Sequence, residues 1–198
     1  MQYLSQRLAA QPASEREREP AGAVARSQRD RLLDATVALI AEKGVGGATI
    51  EATVKAAGVS SVTFYEHFRN KEECFVAAFD RAVEELRAEV RDAIPTSGDR
   101  SERVRAGIGA LLAAIDAAPA RARLCFVEAQ KAGPRLAARY DEALDAAAAE
   151  LEDSLGEAIA GGLAWLLRER LELGGGGSVR ELLPEMTEVA LLPHPAHG

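Results

Sequence analysis

Between Thr49 and Phe68 the chain reads TIEATVKAAGVSSVTFYEHF, and this stretch restricts the fold more tightly than any other. Thr49 stands immediately before Ile50–Ala57, where a threonine hydroxyl caps the first turn of a short helix. Gly58 stops that helix, because glycine tolerates the left-handed backbone of a tight turn. Ser60 then caps a second, shorter helix running to about Glu66. Two short helices joined this way predict a helix-turn-helix, with Val59 plugging the angle and Val54, Ala57, Val62 and Phe68 forming the shared core. In that arrangement the second helix enters the major groove of DNA.

The flanks fit the same reading. A first helix is expected from Ser27, with Asp30 to bind back to the cap and Leu32, Leu33, Thr36, Val37 and Ile40 at helical spacing. Gly44 ends it as a C-cap glycine. Asn70 with Glu73 forms a capping box for a fourth helix, 70–94, whose apolar face is Phe75, Val76, Phe79, Val83, Leu86 and Val90. Residues 1–26 mix Gln, Pro and Ser with alternating Glu and Arg, the composition of a disordered tail. Arg26 leaves open a minor-groove arm. Residues 27–72 thus form the predicted DNA-reading domain, and residues 95–198 a separate C-terminal domain joined through the fourth helix.

That second region is also helical. Asp99 with Glu102 opens a helix over Val104–Ala117, Pro119 suits a first turn, and Gly133-Pro134 punctuates the chain after the apolar run Leu124–Val127. A long helix is predicted from Pro134 to Leu173, with the stripe Leu136, Tyr140, Leu144, Ala147, Leu151, Leu155, Ile159, Gly162 and Leu166. Ser178 with Glu181 caps a last helix ending near Leu192. Ala and Leu abound, aromatics are 5% of residues, and β-branched runs are absent, so the fold class is all-α.

Charge gives no help to a DNA reading. The net charge is −7. Residues 1–80 hold 10 basic and 11 acidic side chains, so most of the excess acidity lies beyond them. No run of ~18 uncharged apolar residues suggests a membrane span. Met1–Pro20 lacks the apolar core of a secretory signal, and the two cysteines, Cys74 and Cys125, are spaced like reduced thiols of a cytoplasmic protein.

The chain resembles the TetR family of transcriptional regulators through Ala57-Gly58-Val59-Ser60, Thr63-Phe64-Tyr65-Glu66-His67-Phe68 and Asn70-Lys71-Glu72. The likeness is specific over residues 28–90 and looser over 120–195, where Phe126-Val127-Glu128-Ala129 and Leu182-Leu183-Pro184-Glu185 match pieces of the family's regulatory domain. It implies a bacterial homodimer that binds a palindromic operator, acts as a repressor, uses no cofactor and is released by a small, largely apolar effector. It departs from the family at Thr53, where isoleucine is usual, and at Ser61-Val62-Thr63, which carries no cation.

Chemistry and resemblance together nominate Thr49, Ser60, Ser61, Thr63, Tyr65, His67 and Lys71 as DNA contacts. The hydroxyls suit phosphates or base edges, and the resemblance implies backbone contacts for Tyr65, His67 and Lys71. Thr49 and Ser60 serve equally well as caps alone. The dimer surface is expected over 134–173 and 178–192, where Ala146–Ala149, Gly156 and Gly161-Gly162 permit close helix approach. A ligand pocket among the preceding helices would draw on Leu111, Leu112, Ile115, Cys125, Phe126, Glu128, Tyr140 and Trp165, each of which is also a natural core residue. Glu128, in an apolar run, requires a partner such as Arg121 or Arg123. Cys125 as a redox sensor is a further reading.

The competing classes are an enzyme and a protein-binding helical adaptor. No Ser-His-Asp pattern, phosphate-cradling glycine loop or close metal cluster supports the first; His194 and His197 are a conceivable metal pair. The capped helix-turn-helix with its Tyr-His-Phe continuation argues against the second.

Overall fold

Helix-favouring composition and well-placed caps divide the chain into helices that a computed structural model describes over residues 21–149, 156–173 and 177–191. These are α1 (Ala21–Gly47), α2 (Ile50–Ala57), α3 (Ser61–His67), α4 (Lys71–Ala93), α5 (Arg100–Ala117), α6 (Pro119–Arg123), α7 (Pro134–Ala149), α8 (Gly156–Leu173) and α9 (Leu183–Ala190). No strand occurs among the described residues. The protein is all-α, with an N-terminal helix-turn-helix unit and a helical C-terminal domain.

Two expectations need correction. α1 begins at Ala21 rather than at a Ser27 cap, because Ala21–Arg26 holds nothing that stops a helix. The six residues 21–26 therefore leave the predicted tail, whose remainder lies outside the described residues. The single helix expected over 134–173 is two helices, α7 and α8, packed against each other. The apolar stripe finds partners within the chain: Leu136, Tyr140 and Leu144 of α7 join one hydrophobic core, and Ile159 and Leu166 of α8 join another. Leu151 and Leu155 of the predicted stripe lie outside the described residues.

Gly44 breaks α1 with φ 69° and ψ 175°, so the expected stop falls where predicted. Leu32, Leu33, Thr36 and Ile40 of α1 are fully buried against α4. The Thr36 hydroxyl donates to Leu32 O at 2.8 Å and lies 3.2 Å from Cys74 Sγ of α4. α4 is the spine of the molecule, tied to its neighbours by arginines. Arg81 pairs with Asp34 and, at 3.8 Å, with Asp30 of α1. Arg121 of α6 meets Glu89 at 2.7 Å and Glu85 at 3.3 Å. Arg139 of α7 meets Asp80 at 2.8 Å.

Between α6 and α7 the chain makes a π-helical turn, Leu124–Glu128, then a 3-10 turn, Ala129–Lys131. Two hydrophobic cores result. One joins α1–α4 with Leu124, Cys125, Ala129, Leu136 and Tyr140. The other gathers Ile108, Leu112 and Ile115 of α5 with Leu167 of α8 and Met186 of α9. α5 opens with the expected Asp99–Glu102 capping box. Ser178 caps a 3-10 turn, Val179–Leu182, that leads into α9.

Candidate DNA-reading face and ligand cavity

Each end of the α2–α3 unit is fixed by a side chain named from the sequence. Thr49 Oγ1 accepts from Ala52 N at 3.1 Å. Gly58 adopts φ 63° and ψ 39°, and its N–H points to the carbonyls of Val54 and Lys55. Ser60 Oγ accepts from Thr63 N at 3.1 Å and lies 3.0 Å from Thr63 Oγ1. Asn70 Oδ1 accepts from Glu73 N at 2.9 Å. The Glu73 carboxylate reaches past Asn70 and accepts instead from Arg69 N at 2.9 Å, so the box closes one residue earlier than expected.

Phe64 and Phe68 anchor α3 in the core, their ring centroids 5.6 Å apart, and the Arg29 guanidinium of α1 lies 5.5 Å from the Phe68 centroid. Helical geometry then decides what faces outward. Val62 lies roughly 160° around the helix from buried Phe64. It is 69% exposed, so it is no part of the shared core for which its hydrophobicity nominated it. Tyr65 is 59% exposed and sets its ring edge-on to Phe64, centroids 5.6 Å apart and planes at 87°. Ser60, Ser61 and Thr49 are exposed, and Thr63 and His67 are half-buried. Lys71 is exposed on the first residue of α4. His67 Nε2 is buried without a hydrogen-bond partner. Around these residues Lys55 and Arg69 alternate with Glu51, Glu66 and Glu72, all exposed. Thr53 is 2% exposed inside the unit.

The second feature is a cavity of about 630 Å³ running along α4. Phe79, Val83, Leu86 and Val90 of α4, Val104, Ile108 and Leu111 of α5, Cys125 and Phe126 of the π turn, and the facing residues of α7 and α8 make its walls. Arg87, Arg100 and Arg103 add three guanidinium groups to an otherwise apolar lining. Of the pocket residues nominated from sequence, Leu111, Cys125, Phe126 and Tyr140 line it. Leu112 and Ile115 do not line it; with Ile108 they form the face of α5 that fills the second core. Glu128, 4% exposed, pairs with Arg123 at 3.2 Å, and its other oxygen faces Gly44 of α1. Trp165 is 53% exposed on α8, away from the cavity. The α4 contribution is not legible in the sequence because an apolar face on a long helix reads as core packing. The available signal was that the stripe continues to Val90, well past what a helix-turn-helix needs.

Both thiols are free and buried. Burial pushes Cys125 up to about 12 and Cys74 up to about 11. A thiolate is the reactive form, so this burial opposes the redox-sensor reading of Cys125. Among the described residues no group of three potential metal ligands occurs and no helix is long and apolar enough to cross a membrane. His194 and His197 lie outside the described residues.

The family model described as bacterial regulatory proteins, tetR family, matches residues 32–78. The transcriptional activator FasR of Mycolicibacterium smegmatis is 31% identical over 137 residues, which are 66% of this chain and 63% of FasR. The transcriptional repressor KstR2 of Mycobacterium tuberculosis is 30% identical over 105 residues, 53% of this chain and 52% of KstR2. The chain thus spans less than two thirds of either relative. The crystal structure of FadR from Bacillus subtilis in complex with stearoyl-CoA has the same fold, with a TM-score of 0.71 at 17% identity, covering 83% of this chain and 99% of that one.

Proposed function

Because this chain belongs to the TetR family, we propose that it regulates transcription by binding a palindromic operator as a homodimer, and that an effector in the α4–α8 cavity releases it. The observation that carries the DNA reading is the capped α2–α3 unit, whose second helix turns Val62 and Tyr65 to solvent while Phe64 and Phe68 hold it down. Ser61 and Thr63 are the proposed base-edge and phosphate contacts of its first turn. Tyr65, His67 and Lys71 hold the backbone on one side, and Thr49 and Ser60 hold it through the helix ends they cap. A mobility shift with DNA from the protein's own promoter region, followed by selection from random sequence, tests this. A salt-sensitive, sequence-dependent shift is expected; an enzyme or adaptor gives none.

Dimerisation is assigned to the outer face of α8 with α9. Trp165 and Leu173 (75% exposed) project from α8, and nothing stands near the Cβ positions of Gly161 and Gly162, so a partner helix has close access. The effector assigned to the cavity is an aliphatic molecule, matched by the apolar walls and supported by the acyl ligand of FadR. A thermal-shift screen against hydrophobic metabolites and long-chain acyl compounds, then operator titration with each hit, tests the coupling. A coupling of ~1–3 kcal/mol changes operator affinity by about 5–150-fold. Hits that stabilise the protein and leave operator affinity untouched would refute it. Repression is the proposed sign, although FasR is an activator and KstR2 a repressor. Deleting the gene should raise expression from the operator-bearing promoter.

A further inference from the structure

Val62 is a large aliphatic side chain held out in solvent on the helix that buries Phe64. It is 69% exposed, whereas Phe64 in the same helix is 1% exposed. Nothing in the unit uses it: the angle between α2 and α3 is fixed by Gly58, Thr49 and Ser60, and the core by Phe64, Phe68, Val54 and Ala57. One turn further along the same ridge stands Glu66, also exposed. A carboxylate is repelled by phosphates, so the ridge carrying Val62 and Glu66 suits base edges, while Tyr65 and Lys71 on its flank suit the backbone. The first turn of α3 offers no cation for guanine. What it offers is one branched aliphatic group between two hydroxyls, Ser61 and Thr63. In the major groove the one apolar feature that distinguishes a base pair is the 5-methyl group of thymine.

Resting on the DNA-reading role proposed above, we propose that Val62 is a specificity-determining residue that packs on a thymine methyl in each operator half-site. The contact selects T over C at that position without a hydrogen bond.

The test uses the full-length protein and a duplex recovered by its own selection from random sequence. Each thymine of one half-site is replaced in turn by uracil, which removes only the methyl group. One replacement should weaken wild-type binding about fourfold, the effect of withdrawing one buried methyl-sized group from contact. V62A should bind the thymine duplex more weakly by a similar factor and should bind the uracil duplex equally well, so that the two losses do not add. Its exposed position predicts an unchanged melting temperature, which separates a lost contact from a lost fold. The idea is overturned if no uracil replacement weakens the wild type, or if the weakening persists undiminished in V62A. If the wild type selects no sequence at all, the DNA-reading role fails and this inference with it.

Discussion

Gly44 and Gly58 both have positive φ, yet they impose different demands, and substitution separates them. Gly58, at φ 63° and ψ 39°, is left-handed helical, and a Cβ there would meet only Arg31 Nη1 at 3.9 Å. Alanine therefore costs the backbone term alone, ~1–2 kcal/mol, reduced by up to ~1 kcal/mol because the unfolded chain loses glycine's freedom. Gly44, at φ 69° and ψ 175°, occupies a region that is essentially glycine's own. Its Cβ would also stand 3.4 Å from Glu128 Oε2, setting an apolar carbon beside a buried carboxylate. G44A should thus cost ~2–3 kcal/mol, at the upper end for such strain, against about 1 kcal/mol for G58A. Asparagine sharpens the contrast, since it tolerates left-handed helix but gains nothing in the other region. G58N should recover most of the loss of G58A, and G44N none of the loss of G44A. Urea midpoints at one fixed protein concentration, with unchanged slopes, measure this. For a chain of this size each kcal/mol should also move the melting temperature by about 2–4 °C. Equal losses at the two glycines, or equal rescue by asparagine, would show that local backbone conformation is not what these positions require.

Further outcomes follow from the same structure. K71A should weaken binding to all DNA sequences alike and reduce the slope of log affinity against log salt by about 0.9, and Y65F should cost ~0.5–1.5 kcal/mol for one hydrogen bond; both are read by operator titration across salt. W165E should convert the proposed dimer to a monomer in light scattering, and in the wild type the emission of this one tryptophan should shift to the blue as the proposed dimer forms with rising concentration. The thiols predict a pH dependence: the folded state holds the protons of Cys125 (raised to about 12) and Cys74 (raised to about 11) more tightly than the unfolded chain does near 9.0. Their contribution is complete below pH 9.0 and is lost as pH rises toward about 12, and a thiol reagent near neutral pH should label neither cysteine until the protein is unfolded.

The sequence by itself determined whatever depends on neighbours along the chain. Thr49, Ser60, Asn70 and Asp99 cap helices because a cap needs only a short polar side chain and the next three residues. Gly44 and Gly58 mark breaks because few other residues accept those dihedrals. With those signals the all-α class and the α2–α3 unit were legible, and so was the need of Glu128 for an arginine. The tertiary structure alone decided where each helix face points. Val62 has the hydrophobicity of a core residue, yet the rotation of α3 set by Phe64 and Phe68 turns it outward. Leu111 and Leu112 are adjacent and alike, but a step of 100° along the helix leaves Leu111 at the edge of the second core, where it lines the cavity, and buries Leu112 wholly inside that core. Trp165 lies at the surface and not in the pocket for the same reason. The expected long helix became α7 and α8 because an apolar stripe states that a partner is required and not which one. Folding back on the chain satisfied that stripe and, by stopping short of close packing around Phe79, Cys125 and Tyr140, left the cavity.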